Sequence, residues 1–365
     1  DNELSDRIRK KYSIKNVTGL NLLPFVIYDD PFDIIAHLMV GSEGTLAFLS
    51  EVTMKTEHDY PYSASAMLYF SNIKDACRAV VAMKPGPVFS AELLDKKSLA
   101  SVNDTTGTGL TAVLTETKAY TPEELQANIE EIKKILSPFE TVTPIHFTDK
   151  PEEYSKYWAI RSGIFPSVGG TRRPGTTVLI EDVAFPLKEL PEATADLQEL
   201  LVTNEYHDAC IYGHALEGNF HFIISQSFDS PEQVARYEKL MDEVKTLVVD
   251  KYDGSLKAEH GTGRNMAPFV KYEWGERAYG FMKAVKELFD PKGLLNPGVI
   301  FNEDPHCHLK HFKPMPLTNA HVDKCIECGF CEVNCLTCGF SLSSRQRIVI
   351  QREISRLKKL SDTES

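Results

Sequence analysis

The chain has 365 residues, 42% hydrophobic and 25% charged, the make-up of an ordinary globular protein with room for two or three domains. Lys and Arg number 40 against 52 Asp and Glu, a net charge of −12, which excludes a broad nucleic-acid footprint because phosphate binding needs clustered cations. No apolar run is long enough for a transmembrane helix, and DNELSDRIRKKYS carries no secretory signal, so a cytoplasmic setting and a piece of a longer protein are expected.

In chain order, residues 31–55 read as a helix stopped at Gly41, then a strand over Leu46–Met54 that is apolar on both faces, as a buried strand should be. From about 60 to 260 the pattern alternates. SASAMLYF is a strand, IKDACRAVVAM a helix, PVFSAELLD and LTAVLTETK strands, and PEELQANIEEIKKIL an amphipathic helix. A second round follows in TTVLIEDVAFP, a helix near 187–203, DACIYGH, NFHFIIS and a helix near 231–250. Two such rounds predict an α+β plait used twice, with helices packed on one face of a sheet. EWGERAYGFMKAVKELF is a further helix, residues after Ile300 read as a linker, and RQRIVIQREISRLKKL is a basic amphipathic helix.

Chemistry concentrates in a few stretches. In GHALEGNFH, His214 and His221 are an odd number of residues apart, so one straight strand would send them to opposite faces. A strand–turn–strand through Gly218-Asn219 would bring both imidazoles to one side as metal ligands; the plain alternative is two strand-end histidines bonded to backbone. KAEHGTGRN adds Glu259 and His260 beside a Gly-rich loop. Two His and a carboxylate suit Zn²⁺, Mn²⁺ or Fe²⁺, and His260, whose side chain diverges from its neighbour's in extended backbone, could act as a base. A solvated helix-to-turn junction is the alternative. GSEGTL is a Gly loop able to approach an anion or cofactor, but neither a Walker loop nor a GxGxxG fingerprint. Arg161, in an apolar setting, needs an anionic partner: a substrate carboxylate or an internal Asp or Glu.

Of eight cysteines, five crowd together. Cys325-x2-Cys328-x2-Cys331-x3-Cys335 is bacterial ferredoxin spacing and points to a [4Fe–4S] cluster, with zinc as the competitor. Leu336 stands where that pattern has Pro, Cys338 is supernumerary, and no second CxxCxxC is present.

Together, GSEGTLAFLSEVTMK, YGHALEGNFH, AEHGTGRN, the long MAPFVKYEWGERAYGFMKAVKELFDPKGLLNPGVI stretch and CIECGFCEVNC resemble the FAD-linked D-2-hydroxyacid dehydrogenases, in the subgroup fused to an iron–sulfur domain. The resemblance implies part of a two-subdomain FAD-binding domain (1–57), a substrate or cap domain (58–270), a return segment (271–303), and a linker with the start of a ferredoxin-like Fe–S domain (304–365). It implies that His214, His221 and Glu259 bind a divalent metal (Zn or Mn), that His260 is the base, Arg161 the carboxylate anchor and Asn219 a polar substrate contact. Ser42, Glu43, Gly44, Thr45 and Asn296 would line FAD, and the family's pyrophosphate loop would lie upstream of Asp1, so this fragment alone is expected to be inactive. The implied activity is oxidation of a small 2-hydroxyacid, D-lactate to pyruvate foremost, with electrons passing to Fe–S clusters and a quinone or cytochrome, a setting that admits peripheral attachment to the cytoplasmic face of a membrane. D-2-hydroxyglutarate and glycolate are the alternatives within the family. The former calls for a second cationic anchor, for which Arg172 and Arg173 are candidates because Ile180 is apolar. A metal-dependent hydrolase explains neither GSEGTL nor the cysteines, and a noncatalytic electron-transfer module leaves both His motifs unexplained.

Overall fold

A computed structural model describes residues 2–104, 106–313 and 315–363. Three helices, α1 (Asn2–Lys11), α2 (Pro24–Ile27) and α3 (Pro31–Leu38), precede the sheet. The first round comprises β1 (Tyr62–Phe70), α4 (Ile73–Met83), β2 (Ser90–Leu94), α5 (Lys96–Ser101), β3 (Thr111–Ala119) and α6 (Pro122–Leu136). Helix α7 (Pro151–Thr171) leads into the second: β4 (Thr177–Ala184), α8 (Leu190–Thr203), β5 (Cys210–His214), β6 (Asn219–Gln226) and α9 (Pro231–Lys245). Helices α10 (Val270–Phe289) and α11 (Ser344–Thr363) complete the order.

The six strands form one sheet in the order β1-β3-β2-β5-β6-β4, every neighbour antiparallel. Each half is a βαββα unit with its third strand in the middle, the first carrying the extra short helix α5 between β2 and β3, and the two join through β2 and β5, where Glu92 faces His214. The α+β plait is therefore present twice. Helix ends follow local chemistry: Asn72, Thr121 and Ser230 cap α4, α6 and α9 by accepting backbone N–H bonds from Asp75, Glu124 and Gln233.

Two expectations fail. Helices cover both faces of the sheet, because its strands are apolar on both. Ala66, Leu68, Phe70, Val113, Phe220 and Phe222 pack against α4, α6, α8 and α9, while the alternate residues Met67, Tyr69, Leu114, Tyr212 and Ile223 pack against α5 and α7. Leu46–Met54 is not a strand. Phe48, Val52 and Met54 are exposed, and among the described residues no strand pairs with this segment, so its backbone has no ladder to join.

A separate core unites α1–α3 with α10, from Ile8, Leu20 and Leu46 to Val270, Trp274 and Met282. At its edge Lys11 and Glu273, both fully buried, pair at 3.0 Å, and Asn16 Nδ2 and the Leu256 N–H also donate to Glu273 (2.8 Å each), so the buried charges are fully partnered. The predicted linker is irregular but docked: Phe312 stacks on Phe228 with ring centroids 3.8 Å apart.

Candidate active site

Four adjacent strands converge on the face of the sheet that α7 partly covers. Alternation points Glu92 (β2), His214 (β5), His221 (β6) and Asp182 (β4) to that face, with Glu92 opposite His214 and Asp182 opposite His221. The β5–β6 connection is a single 3₁₀ turn, Ala215–Glu217, ending at Gly218 with φ of +66°. A Cβ at Gly218 would lie 2.3 Å from the Phe185 carbonyl oxygen, so the tight turn that brings the two histidines together admits only glycine.

The third wall is the loop 255–263. It begins with a two-bond bridge between Ser255 and Ala184, at the end of β4. It then curls around Asp182, whose Oδ2 accepts N–H bonds from Ala258 (3.0 Å), Glu259 (2.6 Å) and His260 (3.2 Å). This curl corrects the extended geometry expected there. The neighbours Glu259 and His260 face the same cluster, with His260 Nε2 3.8 Å from Glu259 Oε1.

Glu259 Oε1 lies 3.1 Å from His214 Nε2 and 3.3 Å from His221 Nε2, and the three ligand atoms fall within 4.8 Å of one another. Asp182, His221 and His260 form a second such group. His260 stacks on His221 with centroids 4.6 Å apart and rings 8° from parallel, and its Nδ1 is 3.6 Å from Asp182 Oδ1. The Nδ1 of His221 is buried without a hydrogen-bond partner. Two His and a carboxylate with converging atoms fit a divalent metal.

Charge here is tightly coupled. Hydrogen bonds to Glu259 and Glu92 raise His214 to about 9. Those from His214 and His221 hold Glu259 far below the usual carboxylate range. Burial pushes the Glu92 carboxyl up, but His214 at 2.5 Å and the Arg161 charge outweigh it and leave it low. Burial lowers His260, against the opposing pull of Asp182.

Arg161 reaches in from α7 and donates through Nε to Glu92 Oε2 (2.9 Å), an internal carboxylate partner. Asn219 is buried; its Nδ2 donates to the Val183 carbonyl (3.3 Å) and its Oδ1 is unpartnered. Among the GSEGTL residues, Ser42 and Thr45 are buried with their hydroxyls donating to the Met39 and Ser42 carbonyls. The Glu43 carboxylate accepts N–H bonds from Thr262 (2.6 Å) and Gly263 (2.7 Å), and Asn296 Nδ2 donates to the Glu43 carbonyl (2.6 Å). Gly44 follows with φ of +69°. These five residues thus form one unit with the loop that carries His260. Beside it lies a groove of about 560 Å³ lined by Glu43, Phe165, Ile180, Lys257, His260 and Arg264.

Sequence reading missed Glu92, Asp182, Lys257 and Lys15. Lys257 pairs with Glu181 (3.0 Å) and Asp182 (2.9 Å), and Lys15 pairs with Glu259 (2.9 Å). The available signal was a carboxylate inside an apolar strand, in SAELLD and VLIEDVAF, which is rare unless partnered. Arg172, a candidate distal anchor, is instead buried and bonded to backbone carbonyls.

The cysteine segment lies apart. Cys325 Sγ accepts the Glu327 N–H (3.3 Å), and hydrogen bonds with Thr337 and Ser344 lower the Cys335 thiol to about 6. Among the described residues no three cysteine sulfurs reach the 4.8 Å mutual spacing a single ion needs. A four-iron cluster, with its ligands at separate corners, does not require that closeness.

Residues 61–300 match the family model described as FAD linked oxidases, C-terminal domain. The mitochondrial D-lactate dehydrogenase (cytochrome) of Arabidopsis thaliana is 30% identical over 286 residues, 74% of this chain and 48% of that protein. Glycolate oxidase subunit GlcD of Bacillus subtilis is 25% identical, over 74% of this chain and 57% of its own length, and D-2-hydroxyglutarate dehydrogenase of Stutzerimonas stutzeri is 28% identical, over 79% and 60%. The chain spans about half the length of the curated relatives it matches. A solved structure of p-cresol methylhydroxylase with substrate bound shares the fold, with a TM-score of 0.50 at 15% identity over 67% of this chain and 53% of that one. The family match covers more than half of the sequence, and the chain belongs to the FAD linked oxidases, C-terminal domain family.

Proposed function

We propose that the protein oxidises a D-2-hydroxyacid to the 2-oxoacid, D-lactate foremost, in an FAD-dependent reaction whose electrons pass by way of iron–sulfur to a quinone or cytochrome. The observation that carries this reading is the convergence of His214, His221 and Glu259, with His260 stacked beside them and the Glu43–Thr45 loop bound to the same backbone. The names of the relatives support the substrate class.

FAD, lined by Ser42, Glu43, Gly44, Thr45 and Asn296, supplies a hydride acceptor when bound, and a Zn²⁺ or Mn²⁺ ion held by His214, His221 and Glu259 supplies a Lewis acid. The chain's own residues do the rest. His260 keeps Nδ1 toward Asp182 and, held neutral by burial, offers Nε2 to the substrate hydroxyl proton. Asp182 fixes the loop through its three N–H bonds. Arg161 anchors the substrate carboxylate with its terminal nitrogens, its Nε being bonded to Glu92, and Asn219 adds a polar contact. Phe165 and Ile180 on the groove wall suit a short acid such as lactate. Cys325, Cys328 and Cys331 would hold one [4Fe–4S] cluster, and Cys335, by the same spacing, would be a ligand to a second cluster of a pair.

The test uses the full-length, FAD-loaded protein under anaerobic conditions, with its visible flavin band followed as D-lactate, L-lactate, glycolate and D-2-hydroxyglutarate are added. Bleaching by D-lactate and not by L-lactate is the expected result. If glycolate or D-2-hydroxyglutarate bleaches faster, the acid changes within the class. If flavin and metal are fully loaded and no D-2-hydroxyacid bleaches the band, the reading is overturned.

A further inference from the structure

At the C-terminal end of α7, Arg172 is buried and all five of its N–H donors are taken by backbone carbonyls. Nε donates to Thr176 (2.9 Å), one terminal nitrogen to Gly169 (2.7 Å) and Lys324 (3.0 Å), and the other to Asp323 (3.1 Å) and Cys325 (3.0 Å). Arg352 of α11, also buried, meets the same Cys325 carbonyl at 2.7 Å and that of Val322 at 3.2 Å. Two guanidinium groups thus converge on the carbonyl of the first cysteine of the ferredoxin-like run.

Their charges are not balanced. Arg352 and Lys313 both pair with the buried Glu327 carboxylate, while the Asp323 carboxylate is turned to the Thr318 N–H and hydroxyl. Among the described residues no carboxylate lies within ion-pair distance of Arg172. Carbonyl dipoles solvate a buried cation only in part, and such a site is expensive unless an anion completes it. An iron–sulfur cluster with its thiolates is such an anion, and Cys328 and Cys331, three and six residues beyond the clamped Cys325, are exposed.

Shape supports the same pairing. Ile326 sits against Gly169, where a Cβ would lie 2.6 Å from the Ile326 side chain, so glycine at that position makes the socket. Arg161, at the candidate active site, precedes Arg172 on the same helix by a rise of about 16 Å. The clamp and the candidate active site are thus linked through one helix, α7.

We infer that Arg172, backed by Arg352, is a positioning residue that seats Cys325 on the sheet domain and supplies the positive charge against which an anionic iron–sulfur cluster forms. This rests on the iron–sulfur part of the proposed function. A cation next to the cluster stabilises its more negative, reduced state and so raises its reduction potential.

The experiment reconstitutes the full-length protein anaerobically with ferrous iron and sulfide, then follows cluster reduction by EPR during a redox titration. Arg172→Gln, Arg172→Lys and Arg352→Gln are compared with wild type, and thermal melts report folding. Amide exchange over residues 322–327 is measured before iron is added. Arg172→Gln is expected to lower the midpoint potential, to speed iron loss to a chelator, and to lose amide protection at 322–327. Arg172→Lys is expected to recover the potential but not the protection, since it keeps the charge without the planar fork. If Arg172→Gln does not fold, Arg352→Gln on the peripheral α11 decides by the same readouts. Variants that keep wild-type potential, iron retention and protection overturn this inference and leave the cluster reading standing. A wild-type protein with intact thiols that takes up no iron overturns both.

Discussion

The two halves of the sheet share one βαββα pattern, and they differ in what closes the face toward α7. In the first half that face is filled by side chains: Met67, Tyr69 and Leu114 pack under α5 and α7, and Trp158 of α7 donates its indole N–H to Ser65. In the second half Tyr212 and Ile223 also pack under α7, but beyond them the strands carry Asp182, His214 and His221, and the cover over these is a loop, 255–263, tied to the sheet through Asp182 and the Ser255 bridge. Among the described residues the first half contributes only Glu92 to this cluster, at the seam. Both copies share one core, and repeating a stable unit leaves one of them free to carry buried charge at its strand ends, where the grafted loop completes the chemistry.

The sharpest break of this comparison is His260→Asn. On the FAD-loaded protein it should lower kcat by about 10²–10⁴-fold, the usual range for losing a general base, with little change in melting temperature because His260 lies at the exposed edge of the cluster. Phe70→Ala is its counterpart in the first half. Phe70 is fully buried in the core beneath α4, and truncation should cost about 3–5 kcal/mol in chemical denaturation while leaving kcat per folded molecule unchanged. A large kcat loss in Phe70→Ala would show that the halves are not divided in this way.

Much of the division was legible in the sequence. The strand and helix periods of both rounds were, and so were the two histidines joined by a turn at Gly218. Helix α7 was not, because Pro166 and the Gly169-Gly170 pair interrupt its pattern and its apolar residues serve two partners, the sheet on one side and the cysteine segment on the other. The partners of Glu92, Asp182 and Lys15 were hidden for another reason. Each reaches its partners across 69 or more residues of sequence, from Glu92 to Arg161 up to Lys15 to Glu259, and only the tertiary fold brings such pairs together. Leu46–Met54 misled because an apolar run specifies burial only when a surface is there to receive it.

A smaller effect tests the seam through pH. Asp95, at the end of β2, caps α5 by accepting from the Ser98 N–H (2.8 Å), and burial raises its pKa to about 6. A carboxyl with a raised folded pKa contributes stability below its unfolded value that is lost as pH rises through the folded one. Asparagine caps equally well without charge. Asp95→Asn should therefore match wild type near pH 4 and exceed it at pH 7 by at most about 3 kcal/mol, at 1.36 kcal/mol per pKa unit. Equal melting temperatures across that range would show that the cap bonds stabilise the carboxylate as well as water does.

The smallest effect belongs to the outer surface of the seam, where Lys74 of α4 pairs with Glu192 of α8 across the two halves. Both side chains are half exposed, and Arg78 stands 3.7 Å from the same Glu192 carboxylate, ready to take over part of the attraction. Exposed pairs lose most of their Coulomb gain to water and side-chain entropy, so Lys74→Ala should cost less than about 1 kcal/mol and the difference should shrink further in high salt. The halves are instead held together by the β2–β5 ladder and by one apolar core running from Phe70 and Val80 to Leu197 and Phe222. A loss well beyond that bound, reversed by Lys74→Arg, would move the coupling of the two copies from the shared core to the charged rim.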